Sequence, residues 1–258
     1  MRTYAQKLHQ TACERAGTDE NHARRLAEEH GIRFVTPRHE EWPEQLNDLH
    51  PLDLGEAGGA PIALWGRGGA VPTGPAVCLV GSRASTAYGD RVAADLATGL
   101  AETGLTIVTT SNYGIDAAAI RGALAAGHGD RLVLVAASGL EAAYPRAHAD
   151  LIEQVVASGG CLLTEVPPGV SPTRARFLDR ARILAGLSTG TVVVEAGIRS
   201  GARRTADWTT ALQRPLMAVP GPIHSATSHL PHQLIHEGHA ALVASTTDVL
   251  TTLEGAQS

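Results

Sequence analysis

The sequence predicts an α/β protein, a doubly wound and mostly parallel sheet with a small helical region at its N-terminus. Three observations carry that prediction. Short apolar runs recur seven times after residue 75, most of them continuous rather than alternating, as strands buried on both faces require. Helical patterns separate these runs at intervals of roughly 25–30 residues, the spacing of βαβ units. The chain has 258 residues, 43% of them hydrophobic and 18% charged, which is the composition of a folded globular protein.

In chain order, two short polar helical patterns come first, Tyr4–Ala16 and Glu20–His30. Asp19 is placed to cap the second, and Gly31 to stop it. A third pattern, His39–Leu49, is interrupted by Pro43. Residues 55–59 read as a loop, Pro61–Trp65 as a short strand, and residues 67–75 as a linker. The expected division is a helical region over residues 1–70 and a sheet domain over residues 71–258. The strand patterns of that domain are Ala76–Val80, Leu105–Thr109, Leu132–Ala136, Cys161–Glu165, Thr191–Glu195, Leu216–Val219 and Ala241–Ala244. Between them lie the helical patterns Tyr88–Glu102, Ile115–Ala126, Ala147–Ser158 and Ala202–Leu212. Aromatic residues make up only 3%, so Ala, Val, Leu and Ile must fill the core.

Composition excludes several classes. No apolar run reaches membrane-spanning length. The first eight residues lack the apolar stretch of a signal peptide, so a cytoplasmic location is expected. Cys78 and Cys161 sit in apolar runs and Cys13 in a polar helix, with no Cys-x-x-Cys spacing. They read as reduced, packed thiols. His229, His232 and His236 have the spacing of one helical face, but Pro231 between them is expected to delay the helix, so no metal site is assigned.

Charge is unevenly placed. The chain carries a net −5, yet between Arg174 and Arg204 seven arginines face only Asp179 and Glu195, a local +5. Such a protein is not a general polyanion binder but can hold phosphates at one place. In a doubly wound sheet that place lies beyond the carboxyl ends of the strands, at a switch point. After the first strand comes Gly81-Ser82-Arg83, with glycine for close backbone approach and Arg83 for a phosphate. After the second come Asn112, Tyr113 and Gly114, then Asp116, read as a capping residue in the first turn of a helix. After the fourth come Arg174, Arg176, Phe177, Arg180 and Arg182. Glu195 ends the fifth strand and is read as a residue that orients an arginine.

These words stand in an order and spacing that resembles the DNA-processing protein A (DprA/Smf) family. The matching segments include Val80-Gly81-Ser82-Arg83, Gly114-Ile115-Asp116-Ala117-Ala118-Ala119, Glu165-Val166-Pro167-Pro168-Gly169, Arg182-Ile183-Leu184-Ala185-Gly186-Leu187-Ser188 and Val219-Pro220-Gly221. Trp42-Pro43-Glu44-Gln45-Leu46 and Leu64-Trp65-Gly66-Arg67-Gly68 match the region before the sheet. The resemblance implies a variant Rossmann fold, single-stranded DNA binding, a homodimer, and delivery of the strand to a RecA-type recombinase in natural transformation. It implies no enzyme activity and no cofactor. Carried over, the DNA- and phosphate-binding residues are Gly81, Ser82, Arg83, Asn112, Tyr113, Gly114, Arg174, Arg176, Phe177, Arg180 and Arg182.

The sequence also departs from the family pattern. Thr110-Ser111-Asn112-Tyr113 replaces a Gly-Leu-Ala-x word, Ala181 stands where the family has the asparagine of Arg-Asn-Arg, and Ala202-Arg203 follows Ser200-Gly201 where the family has Ser-Leu. These changes fall at strand ends, as in a diverged member with an altered pocket. Little chain follows Leu253, so the C-terminal winged helix of many members is not expected. The alternative readings are a non-catalytic nucleotide sensor or a nucleoside phosphoribohydrolase-like enzyme on the same fold. The hydrolase word Pro-Gly-Gly-x-Gly-Thr-x-x-Glu is absent, and Val219-Pro220-Gly221-Pro222 does not replace it.

Overall fold

The computed structural model describes residues 2–52, 54, 58–72 and 74–256. The loop read at 55–59 and the linker read at 67–75 lie partly outside the described residues. Two helices open the chain: α1, Tyr4–Ala16, and α2, Glu20–Glu29. Thr3 and Gln6 close a capping box on α1, Gly17 ends it in the left-handed conformation, and Asp19 caps α2 through its side chain. Strands β1 (Arg33–Val35) and β2 (Leu64–Gly68) follow, with a 3-10 turn at Glu44–Leu49 between them.

The remaining elements alternate strand and helix. They are β3 (Ala76–Val80), α3 (Ala87–Glu102), β4 (Thr106–Thr109), α4 (Ile115–Ala125), β5 (Leu132–Val135), α5 (Ala149–Ala157), β6 (Cys161–Thr164) and α6 (Arg174–Leu187). Then come β7 (Gly190–Val193), α7 (Ala202–Ala211), β8 (Leu216–Ala218), α8 (His229–His236), β9 (Ala241–Leu242) and α9 (Thr246–Gly255). The nine strands form one sheet in the order β1-β2-β6-β5-β4-β3-β7-β8-β9, parallel throughout except for antiparallel β1 and β2.

The N-terminal region expected to be helical therefore also contributes two strands to the sheet. β1 is three residues long and opens on Arg33, too short to register as a strand pattern. Its guanidinium donates to Gly68 O and Gly69 O at 2.6 and 2.8 Å, tying β1 to the far end of β2. The pattern at His39–Leu49 becomes only the 3-10 turn after Pro43, whose ring allows a helical start but no earlier turn. α8 begins at His229 rather than after Pro231. Pro231 sits in the first turn, where its missing N–H removes no helical bond.

Two hydrophobic cores lie on the two faces of the sheet. Strand β3 shows why its sequence is uninterrupted: Val77 and Leu79 pack into one core with α3, α4, α5 and α9, while Ala76, Cys78 and Val80 pack into the other with α6, α7 and α8. With so few aromatics the helices approach closely. At the α3–α4 crossing Gly122 meets the backbone of Ala94, and the hydroxyl of Thr98 donates to Gly122 O at 3.0 Å. All three cysteines are free and buried, and burial pushes the Cys13 thiol up to about 11. Among the described residues no helix is long and apolar enough to cross a membrane.

A side chain at Gly122 would run into the Ala94 carbonyl. Gly122→Val is expected to destabilise the fold by about 2–3 kcal/mol or more through overpacking. Urea denaturation checks this as a lower midpoint at unchanged slope.

Candidate functional site

A cleft of about 870 Å³ lies over the carboxyl ends of β3 and β4 and beside the segment that follows β7. In the strand order β3 is the switch strand: the chain proceeds from it through β4, β5 and β6 on one side, then returns to β7, β8 and β9 on the other. The cleft thus sits where such sheets place their ligands.

Its walls are built by loops that the backbone fixes. Ser82 N donates to Glu195 O at 2.5 Å, and Ile115 N donates to Ser82 O at 3.1 Å. Gly114 has φ +72, and a Cβ there would strike Ser82 O, so this position requires glycine. Gly114 is thereby the link between two loops. Ser82 accepts through its hydroxyl from Ala84 N at 3.1 Å, while the cap of α3 is Thr86.

Glu195 orients no arginine. It is 1% exposed and accepts from Thr86 N at 2.9 Å, Thr86 Oγ1 at 2.7 Å and Thr227 Oγ1 at 3.1 Å. It anchors the start of α3 from the end of β7, a role that needs spatial information no linear pattern holds.

The seven arginines of the basic segment divide in two. Arg182 is buried and forms a two-pronged pair with Glu165 at 2.9 and 2.5 Å. Arg176 donates to Ser171 O at 2.7 Å and Ala16 O at 3.4 Å, joining α6 to the end of α1. Arg203 pairs with Asp207, and Arg204 donates to Leu54 O. None of these four lines the cleft. Arg174, Arg180 and Arg199 do, together with Arg83 from the glycine turn. Arg83, Arg174 and Arg199 are exposed and have no hydrogen-bond or ion-pair partner among the described residues. Arg199 was missed by the sequence reading, because its neighbours resemble a helix end rather than a cleft wall.

Arg180 is buried, and its Nη1 donates to Val135 O at 3.2 Å. Burial brings its pKa down to about 10, with Asp116 pulling it back up. Phe177 is half-buried beside it. The guanidinium carbons of Arg83 and Arg180 each lie 4.8 Å from its ring centre, so the ring positions both cations. Asn112 lines the cleft. Tyr113 is exposed outside the lining, with its ring 4.6 Å from that of His148.

Asp116 does not cap its helix. Its Oδ2 accepts from the Thr110 hydroxyl and from Asn112 Nδ2 at 3.2 Å. Desolvation pushes its carboxyl up to about 6, opposed by the Thr110 hydrogen bond and the charge of Arg180. The histidines of α8 form no cluster: His232 Nε2 faces the backbone of Gly221, and among the described residues no group of three or more His, Cys, Asp or Glu could hold a metal.

Fold and cleft define a doubly wound α/β protein with an arginine-lined cleft at its switch point. The sequence profile of the DNA recombination-mediator protein A family matches residues 33–254, and the chain belongs to that family. A Mycobacterium tuberculosis relative named DNA processing protein DprA is 44% identical over 228 residues, 85% of this chain and 57% of the relative. Streptococcus pneumoniae DNA processing protein DprA is 37% identical over 210 residues, 81% of this chain and 73% of that protein. This chain thus spans little more than half the length of the mycobacterial relative. The X-ray structure of DNA processing protein A from S. pneumoniae superposes with TM-score 0.78 at 32% identity, covering 91% of this chain and 78% of that one. The Helicobacter pylori DNA processing protein A, described for its single-stranded DNA binding mode, superposes at TM-score 0.73 and 24% identity, which is a likeness of fold.

The raised Asp116 pKa has a thermodynamic consequence. The folded state keeps its proton up to about pH 6, whereas the unfolded carboxyl loses it near 3.8. The stability this gives is full below 3.8 and is lost as pH rises through 6. Relative to Asp116→Asn, the wild type should therefore lose about 2 kcal/mol between pH 4 and pH 7. Urea melts of both proteins across that range test it, and parallel pH profiles would refute it.

Proposed function

We propose that this chain binds single-stranded DNA in the switch-point cleft. It acts without catalysis, as a homodimer in the cytoplasm, and presents the strand to a RecA-type recombinase during DNA uptake and recombination. One observation carries the reading. Arg83, Arg174 and Arg199 in the lining donate no hydrogen bond and form no ion pair among the described residues, while the arginines of the basic segment outside the lining, Arg176, Arg182, Arg203 and Arg204, are each committed to a carboxylate or a carbonyl. Cations left unpaired in a concave site await an anion.

Chain phosphates supply that anion at a spacing that several arginines share. A single strand also bends into a cleft more readily than a duplex does, and it exposes its base edges there. The family membership and the names of the M. tuberculosis and S. pneumoniae relatives support the assignment to DNA processing.

Fluorescence anisotropy with a labelled oligo-dT strand at several salt concentrations tests this. Arg83→Ala is expected to weaken binding about tenfold and to lower the salt slope by about one. Arg203→Ala, whose partner is Asp207, should leave both nearly unchanged. Absence of binding at low salt would overturn the DNA reading and direct the search to free nucleotides.

A further inference from the structure

The floor of the cleft holds a group that phosphate binding does not account for. Asp116 is 4% exposed and lines the cleft. It is the only acidic residue among a lining that includes four arginines. One of its oxygens is satisfied, because the Thr110 hydroxyl and the Asn112 amide both donate to Oδ2. The other, Oδ1, is buried and has no hydrogen-bond partner among the described residues. Arg83 and Arg180 are close enough to act on the carboxylate's charge, yet neither donates to Oδ1. An unmet carboxylate oxygen in a protein interior is costly, and such atoms commonly mark a missing partner.

Charge decides what that partner is. A phosphate oxygen would be repelled, and a carbonyl has no proton to offer. The partner must bring an N–H or O–H. In a deoxyribonucleotide chain, away from its ends, the sugars carry no 2′-hydroxyl and the backbone is acceptor-only, so the donors belong to the bases. Cytosine, adenine and guanine project exocyclic amines. Thymine has only a ring N–H, flanked by two carbonyl oxygens that would face the carboxylate.

Building on the strand-binding reading above, we propose that Asp116 is a specificity-determining residue that accepts a hydrogen bond from the exocyclic amine of a base, so that thymine is the base held least well in this cleft. Thr110 and Asn112 are its positioning residues. By occupying Oδ2 they leave Oδ1 as the oxygen without a partner. Arg83 and Arg180 hold the neighbouring phosphates, and the Phe177 ring keeps both guanidiniums in place. The result is a sequence-tolerant site with one selective position.

The test compares three short labelled strands by anisotropy: one of mixed dT and dC, the same strand with 2-pyrimidinone in place of every cytosine, and oligo-dT. The 2-pyrimidinone base lacks the amine and is otherwise cytosine. The wild type is expected to bind the dC-containing strand about tenfold tighter than either of the others, the strength of one charge-assisted hydrogen bond. In Asp116→Asn, Thr110 and Asn112 hold the amide oxygen where Oδ2 was, leaving an NH2 group in place of Oδ1. The preference should then reverse toward thymine, whose carbonyl accepts. If that variant does not fold, deletion of the amine from the ligand still decides the question on the wild type. Equal affinity for all three strands, with Arg83→Ala weakening all of them, would overturn the role of Asp116 and leave the strand site standing. If no strand binds at low salt, or Arg83→Ala changes nothing, the strand site itself fails and this inference falls with it.

Discussion

The backbone of a single residue, Ser82, organises the cleft. Ser82 N donates to Glu195 O and Ser82 O accepts from Ile115 N, so the residue that leaves β3 is tied both to the end of β7 and to the start of α4. Two glycines make this approach possible. A Cβ on Gly81 would lie 2.5 Å from Ile115 Cγ1 and 2.7 Å from Glu195 O, and one on Gly114 would meet Ser82 O. Arg83 follows this clamp directly. Its backbone is therefore fixed while its side chain remains exposed and unpaired. The Glu195 carboxylate extends the same clamp through Thr86 to the first turn of α3. Position is set by backbone and charge by side chain, and neither compromises the other.

The arginines show how a basic segment becomes a site. Arginine is costly to bury unless its donors are met. Arg182 meets those of its two terminal nitrogens with Glu165, Arg176 donates to two carbonyls, and Arg214 to the last carbonyls of α6 and to Asp48. These residues fasten α6 to α1, to the loop after β6 and to the 3-10 turn before β2. The helix so fastened carries Arg174, Phe177 and Arg180 along one side and presents them to the turn that bears Arg83. The committed arginines hold still the helix from which the uncommitted ones reach into the cleft.

Much of this was legible in the sequence, for a physical reason. Strands buried on both faces leave continuous apolar runs, and all seven after residue 75 fall on observed strands. Caps are local chemistry, so Asp19 as the cap of α2 and Gly31 just past its end were read correctly. What escaped was whatever depends on distant partners. β1 has three residues and is held by its antiparallel pairing with β2. α6 buries Arg180 and Arg182, so its inward face does not look apolar and the helix has no amphipathic signature. Glu195 was expected to orient an arginine and Asp116 to cap its own helix. Glu195 instead bonds Thr86, which lies 109 residues away, and Asp116 bonds the loop before its helix rather than the helix backbone. The glycine turn with its arginine was found because close approach demands glycine, and glycine is visible in one dimension. Arg199 was not found, because unpaired charge is visible only in three.

The charge distribution sets what such a cleft can hold. The chain is acidic overall, with net charge −5, so a long polyanion lying across its surface meets repulsion at most points. Attraction is concentrated at the concave site, where Arg83, Arg174 and Arg199 are exposed beside the buried Arg180. A rigid duplex, with its charge spread over a broad cylinder, cannot bring many phosphates into that concavity without pressing others against the acidic exterior. A flexible single strand can dip into it and leave. Under the proposed function, the same net repulsion that limits non-specific binding would also speed a strand's dissociation, which handing it onward requires.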